Sequence, residues 1–215
     1  MDTLMQTAAR TAPFGKPQLR GIHHLALVTD DMRKTLDFYV RILGMPLVHG
    51  LITPGKPGER TAQRGASSHG FGVPPFAAIA HFFLDMGGDS MLAFFEYPKG
   101  KVAQTDRDTI GAMQHVSFVC GPKRYQEILE RLKANNVTIT AGPLVTIPPA
   151  IHSFYFFDPN GTRLEIVSDL DGDEDDLQAI RSCTMDEATM RTELRRISDD
   201  AAWIEEMIGA MPAKA

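Results

Sequence analysis

Residues 24–45 read HLALVTDDMRKTLDFYVRILGM, and residues 115–136 read HVSFVCGPKRYQEILERLKANN. When the first stretch is placed over the second, His24 aligns with His115 and Arg33 aligns with Arg124. Each stretch begins with a β-rich apolar run, passes through a polar turn and ends with apolar residues at helical spacing. The sequence therefore predicts one structural unit that is used twice.

Each copy continues into a β-hairpin. The first hairpin reads AIAHFFLDMGGDSMLAFFEYP with a turn at Gly87–Gly88, and the second reads HSFYFFDPNGTRLEIVS with a turn at Pro159–Gly161. We expect one further strand before each hairpin, near Pro46–Ile52 and Val137–Leu144. Each copy is therefore predicted to be strand–helix–strand–strand–strand, in an α+β fold of two tandem βαβββ modules with a C-terminal helical extension.

The modules are predicted to span residues 21–98 and 112–168, within one domain at 21–168 that follows an N-terminal arm at 1–20. A Gly- and Pro-rich insertion at 53–76 interrupts the first module. Loops of this length are commonly functional or disordered. One interpretation is a specificity lid and the other is a solvated surface loop. In the lid, the basic side chains Lys56, Arg60 and Arg64 would meet an anionic substrate group.

Residues 169–215 hold 13 acidic and 5 basic side chains, and we interpret them as an acidic linker followed by two helices. The helices are predicted roughly at 184–197 and 199–209, with Thr184 and Glu187 as a capping box at the first. Apolar residues on both helices are typical of an arm that packs on the body or on a second subunit.

The composition narrows the function classes. A chain of 215 residues with 43% hydrophobic and 23% charged residues corresponds to a globular protein of one to two domains. The near-neutral central body carries no basic stripe, which argues against nucleic acid as a partner. The first twenty residues lack the apolar run of a secretory signal, and Cys120 and Cys183 form no disulfide framework. We therefore expect a cytoplasmic protein without membrane contact that acts on a small molecule.

Two histidines and two glutamates recur in the copies. His24 and His115 open the first strand of each module, while Glu96 and Glu165 lie late in the last strand. A carboxylate among apolar strand neighbours is costly to bury unless it is paired or bound to a metal. Two imidazoles and two carboxylates make a plausible site for one divalent ion, namely Zn, Ni, Co, Mn or Fe(II). His23 competes with His24, and His81 is a weaker rival.

These stretches resemble the vicinal oxygen chelate superfamily, which includes glyoxalase I, bleomycin- and fosfomycin-resistance proteins, extradiol dioxygenases and methylmalonyl-CoA epimerase. The resemblance covers about residues 20–168. It is carried by residues 23–45, LAFFEYP (92–98), QHVSFV (114–119) and DPNGTRLEIV (158–167). It implies paired βαβββ modules that form an open barrel around one metal ion, and a homodimer.

The resemblance also implies site residues. His24, Glu96, His115 and Glu165 match the four metal positions of glyoxalase I, although no arginine stands near His49 to meet a glutathione carboxylate. Extradiol dioxygenases use two histidines and one glutamate. Their active-site tyrosine is matched by Tyr155, ten residues before Glu165, with His152 close to it. Their acid–base histidine is replaced by Ser90.

Three functions follow as expectations. The first is a metal-dependent, glyoxalase-like lyase or isomerase in which Glu165 or Glu96 moves a proton on a small oxygen-chelating substrate. The second is an Fe(II)-dependent ring-cleaving dioxygenase with Tyr155 and His152 near the substrate. The third is a resistance-type protein that binds a small molecule without catalysis.

Overall fold

The structure is a computed structural model that describes residues 21–61, 75–104, 106–147, 151–174 and 185–211. Two four-stranded sheets, each accompanied by a helix, form its main body. They confirm the predicted α+β fold of tandem βαβββ modules, and neither sheet closes into a barrel.

The first module contains four strands and one composite helix. Its elements are β1 (His24–Thr29), α1 (Met32–Leu36) with a π-helical continuation (Asp37–Ile42), β2 (Leu47–Ile52), β3 (Ala80–Gly87) and β4 (Ser90–Glu96). The strand order is β1-β4-β3-β2, in which β1 and β4 are parallel and the other neighbours are antiparallel. The side chain of Asp31 caps α1 by accepting the N–H of Lys34.

The second module repeats this arrangement. Its elements are β5 (Val116–Val119), α2 (Pro122–Ala134), β6 (Ala141–Ile147), β7 (Ile151–Phe157) and β8 (Arg163–Asp169), in the order β5-β8-β7-β6. Helix α2 ends at Asn135, and the next residue has a left-handed φ of 57°, as is common after helices. Strand β6 begins later than Val137–Leu144 predicts because the chain first passes through this helix-terminating turn.

One hydrophobic core joins the two modules. It combines apolar residues of α1, α2 and the helix-facing sides of both sheets, including Leu92, Phe94, Leu164 and Ile166. A buried polar link crosses the same region, where the Tyr39 hydroxyl donates to Asp158 at 3.0 Å. The β7–β8 turn is thereby fixed against α1.

Alternation along the strands gives each sheet a second face, which we call the open face because it lies opposite the helices. In β4, Leu92 and Phe94 enter the core, so Met91, Ala93 and Phe95 belong to the open face. In β8, Leu164 and Ile166 enter the core. Arg163, Glu165 and Val167 therefore belong to the open face of the second module.

The base of the 53–76 insertion is ordered against the first module. Arg60 and Phe76 form an antiparallel bridge, and Phe76 packs with Ile79 and Tyr97 in a second small core. The Arg60 guanidinium lies 4.7 Å from the centre of the Phe76 ring. The predicted basic residue Arg64 lies outside the described residues.

Residues 185–211 belong to a separate compact unit with helices α3 (Glu187–Arg195) and α4 (Ala201–Gly209). Asp186 caps α3 by accepting the N–H groups of Ala188 and Thr189. The helix therefore starts two residues later than a capping box from Thr184 to Glu187 requires, and Thr184 lies outside the described residues. No helix in the described part of the chain is long and apolar enough to span a membrane.

Candidate functional site

His115 and Glu165 form the centre of the candidate site on the open face of the second module. His115 directly precedes β5, and Glu165 lies on the parallel neighbour β8. Their facing atoms, His115 Nε2 and Glu165 Oε2, are 3.1 Å apart. The Glu165 residue is only 6% exposed, so its carboxylate is held in a largely dehydrated position.

Three hydroxyl groups surround the Glu165 carboxylate. Tyr155 on β7 and Ser117 on β5 are its register partners, and Ser153 lies two residues before Tyr155 on the same face of β7. Burial favours a raised pKa of Glu165, but hydrogen bonds from Tyr155, Ser153 and Ser117 and the adjacent His115 outweigh burial and lower it. Glu165 is therefore an ionised acceptor at neutral pH.

Tyr155 remains protonated in this environment. Burial, the hydrogen bond to Glu165 and the charge of Glu165 raise the pKa of the Tyr155 hydroxyl, while Ser153 and Arg163 act weakly in the opposite direction. The phenol is therefore a hydrogen-bond donor at neutral pH. The His115 ring contacts the Tyr155 ring edge-on at 6.0 Å between centroids.

The His115–Glu165 pair has the chemistry of two ligands to one cation. His115 Nδ1 is hydrogen bonded to Gln114 Oε1, an acceptor, and Nε2 is the ring nitrogen that faces Glu165. At this distance Nε2 and the Glu165 oxygen can either share a proton or bind one metal ion between them. Ligand bonds near 2.1 Å place two adjacent donors on one ion about 3 Å apart, which fits the observed pair.

His24 lies on the open face of the first module. Its Nδ1 is 2.9 Å from Nδ1 of the neighbouring His23, and its ring contacts Phe83 at 5.7 Å. His81 and His49 contact the same Phe83 ring at 4.3 and 5.5 Å. Among the residues that the structure describes in one chain, no three His, Cys, Asp or Glu side chains form a group able to hold a metal.

The structure does not bring Glu96 to these histidines, contrary to the sequence-based prediction. Glu96 pairs with Thr29 at the far end of the β1–β4 ladder, whereas His24 pairs with Met91 at its beginning. It also shares the core-facing side of β4 with Phe94. Its Oε1 accepts the N–H of Met32 at 2.8 Å, so the carboxylate supports the start of α1.

The register identifies the true counterpart of Glu165. Leu25 pairs with Leu92 in the first module, and Val116 pairs with Leu164 in the second. The residue after Leu164 is Glu165, and the residue after Leu92 is Ala93. The repeat therefore places one carboxylate, not two, on the open faces at this position.

His152 also lies away from the predicted site. It shares the core-facing side of β7 with Phe154, while Tyr155 faces Glu165 on the other side. The prediction placed His152 and Tyr155 together near the substrate, and strand alternation separates them. Tyr155 alone joins the His115–Glu165 pair.

Three residues of this face received no role from the sequence, which are Ser117, Ser153 and Arg163, although strand alternation already places Arg163 beside Glu165. All three follow from alternation, because each lies an even number of residues from His115, Tyr155 or Glu165 on the same strand run. The Arg163 guanidinium carbon lies 4.5 Å from the centre of the Tyr155 ring. The open face thus combines an imidazole, a carboxylate, three hydroxyls and a guanidinium.

The sequence and fold of this chain are similar to those of several known proteins. The chain is 26% identical over 151 residues to the Bacillus subtilis (strain 168) protein YwkD, named as uncharacterized, which covers 69% of this chain and 96% of YwkD. It is 33% identical over 80 residues to the putative ring-cleaving dioxygenase MhqA of the same organism, which covers 33% of this chain and 25% of MhqA.

A solved glyoxylase/bleomycin resistance protein/dioxygenase domain from Frankia sp. EAN1pec shares the fold with a TM-score of 0.52 and 17% identity, over 72% of this chain and 96% of that domain. Residues 21–166 match the sequence profile of the Glyoxalase/Bleomycin resistance protein/Dioxygenase superfamily. This match covers both modules up to Ile166, including His115 and Glu165. The chain belongs to that superfamily.

Proposed function

We propose that this protein is a metal-dependent enzyme that cleaves an aromatic ring beside two vicinal oxygens, as an extradiol-type dioxygenase. The observation that carries the proposal is the single carboxylate. Glu165 faces His115 on the open face, while Glu96 supports α1 from the other side of its sheet. Two histidines with one carboxylate form the ligand set of non-haem Fe(II) oxygenases.

His24 is the proposed third ligand. Because one chain does not assemble three ligands among its described residues, we propose that a second copy supplies His24 to the His115–Glu165 pair. Apolar side chains on the open faces support this arrangement, since Val28 is 43% exposed and Val119 is 46% exposed in the single chain. Covering them between two copies would remove apolar surface from water.

Each side chain near the proposed iron ion would have its own role in binding the metal or the substrate. An Fe(II) ion held by His24, His115 and Glu165 would supply a redox centre with open positions for the substrate oxygens and dioxygen. Gln114 would hold His115 in the tautomer that presents Nε2. The protonated Tyr155 hydroxyl would donate a hydrogen bond to a substrate oxygen and orient it.

The glyoxalase-like alternative is less well supported. Proton transfer by that route was expected to use a second carboxylate as a base that can leave the metal. The sequence offers Glu165 and Glu96 for the two carboxylate roles, but Glu96 accepts the Met32 N–H on the core-facing side of β4. The described open faces offer Tyr155 as a donor but no second glutamate near Glu165.

Metal content and oxygen uptake test the proposal. Protein purified under argon should retain iron near one ion per chain, and His115→Ala and Glu165→Gln should each lose it. Glu96→Gln is the matched control, because it makes the same chemical change at a residue that faces the core.

The iron-loaded protein should consume oxygen with at least one member of a panel of catechols, whose two hydroxyls are vicinal. Absence of uptake across the panel with iron bound would refute the dioxygenase assignment. Loss of iron in Glu96→Gln would refute the one-carboxylate ligand set. Sedimentation of the wild-type protein as a monomer with full iron content would refute the shared site.

A further inference from the structure

Arg163 occupies a defined place beside the candidate site. It is two residues before Glu165 on β8 and therefore lies on the same open face. Its backbone pairs with Phe157 on β7, two positions along the ladder from the pair formed by Tyr155 and Glu165. The guanidinium carbon lies over the Tyr155 ring at 4.5 Å, a cation–π arrangement that fixes the side chain above the proposed substrate donor.

The charge of Arg163 is not matched by a carboxylate within the described parts of the chain. No carboxylate there lies within ion-pair distance of its guanidinium, whereas arginines on the helices, such as Arg124 with Glu127, have such partners. Glu165 is engaged by His115 and three hydroxyls instead. A guanidinium that is positioned but unpaired beside a site is available to a ligand.

Charge counting indicates what that ligand carries. A divalent ion with Glu165 keeps one positive charge, and the chelating oxygens of a substrate offset it when they lose a proton. Arg163 adds a second positive charge that remains uncompensated. A second guanidinium lies near this site, because the guanidinium carbon of Arg107 is 5.4 Å from the centre of the ring of Phe157, the strand partner of Arg163. Arg107 is exposed and is flanked in the chain by Asp106 and Asp108.

The first module shows that this charge is not required by the fold. Arg163 immediately precedes Leu164, and the corresponding residue before Leu92 is Met91. Both positions lie on the open face of a parallel strand pair. The equivalent position of the first module therefore holds an uncharged side chain, so the repeated fold does not by itself call for a charge there.

We propose that Arg163 selects a substrate with a carboxylate group, which it binds through the paired N–H groups of its guanidinium while the vicinal oxygens lie at the His115–Glu165 pair. This inference rests on the proposed function and narrows its substrate class to aromatic diols that carry a carboxylate, such as dihydroxybenzoates. The planar fork of arginine matches the two carboxylate oxygens.

Calorimetric titration of the iron-loaded protein under argon tests the inference without turnover. The probes are the two dihydroxybenzoate isomers whose hydroxyls are vicinal, and catechol as the matched diol without carboxylate. At least one dihydroxybenzoate should bind about 10- to 100-fold more tightly than its matched diol. Arg163→Met should remove this advantage and leave the affinity for the neutral diol within about threefold, and Arg163→Lys should restore part of it.

Two control variants separate a specific contact from a general effect of charge. Arg107→Met removes one positive charge near the same site, and Arg124→Met removes one from α2. Both should keep most of the preference for the carboxylate. An equal loss in Arg107→Met, or a preference that survives Arg163→Met, would overturn the inference.

The outcome is distinguishable from failure of the proposed function. A carboxylate preference that depends on Arg163, found without oxygen uptake, would support the anion contact and refute ring cleavage. Oxygen uptake with neutral diols, equal affinity for the acids and no effect of Arg163→Met would support ring cleavage and refute the anion contact.

Discussion

Replacement of Glu96 by alanine should destabilise the protein without removing the metal ion proposed for the His115–Glu165 pair. Glu96 Oε1 accepts the Met32 N–H at 2.8 Å, and Met32 is buried as the first residue of α1. The first N–H groups of a helix have no partner within the helix, so a lost acceptor leaves one of them unsatisfied. Asp31 cannot replace Glu96, because its side chain already accepts the N–H of Lys34.

The size of the effect follows from this contact. Loss of a capping acceptor costs about 0.5–2 kcal/mol, and a hydrogen bond to a charged acceptor contributes about 1.5–3 kcal/mol. Because Glu96 is half-buried, we expect a loss of about 1–2 kcal/mol in the free energy of unfolding. For a protein of this size that corresponds to a decrease of roughly 2–8 °C in Tm. Glu96→Gln keeps an acceptor oxygen and should lose less than half as much.

Urea unfolding and metal analysis of the same preparations measure the two quantities together. Glu127→Ala is a suitable control, since Glu127 is an exposed glutamate that pairs with Arg124 on the surface of α2. The reasoning would be refuted if Glu96→Ala kept the wild-type stability and lost its metal. That result would place the carboxylate at the metal site and restore the four-ligand set.

Three further changes test other parts of the structure. Tyr39→Phe removes the donor to Asp158 and should lower the free energy of unfolding by about 1–2 kcal/mol in urea titrations. Gly142→Ala should destabilise by roughly 2 kcal/mol or more in the same assay, because φ is +86° and a new Cβ would lie 2.4 Å from the Ser153 carbonyl oxygen. Burial and the nearby imidazoles lower the pKa of His81. The unfolded chain therefore binds more protons between that lowered pKa and about 6.5, so the stability of the metal-free protein should fall as pH drops through this window. Thermal unfolding from pH 5 to 7.5 should show a flatter profile in His81→Phe, and an unchanged slope would contradict the assignment.

The fold was predictable because its signals are local. Two short stretches carry the same order of strand, turn and helix, and the hairpin turns at Gly87–Gly88 and after Asp158 are marked by residues that favour them. The β1 and β5 registers then follow from the parallel pairing with β4 and β8. The hydrophobic spacing did not predict the π-helical continuation at Asp37–Ile42, because the same apolar spacing also fits an ordinary α-helix.

The site was only partly predictable, and Glu96 shows why. The sequence predicts that both glutamates lie late in their strands, but Glu96 is the last residue of β4 whereas Glu165 lies near the start of β8. Strand parity is the stronger physical criterion, because a shift by one residue moves a side chain to the other face. Aligning Leu92 with Leu164 by their burial would have matched Glu165 with Ala93. The same criterion predicts that the hydroxyls of Ser117 and Ser153 lie on the open face.

The side chains on the core faces of the two modules are chemically similar, and those on the open faces differ. Leu92 and Phe94 correspond to Leu164 and Ile166 in the core, where any well-packed apolar side chain of similar size suffices. On the open face the corresponding residues differ in chemistry, as Ala93 differs from Glu165 and Phe83 from Tyr155.

The first module therefore contributes imidazoles on an aromatic surface, and the second contributes a carboxylate with its hydroxyl donors. Among the described residues neither face holds three metal-ligating side chains, so the chemistry proposed for this protein requires the open face of one module to meet the open face of the other. An unequal pair of faces supplies one carboxylate per site, which leaves a bound divalent ion with a positive charge. That charge is what an oxygen-chelating, anionic substrate would neutralise.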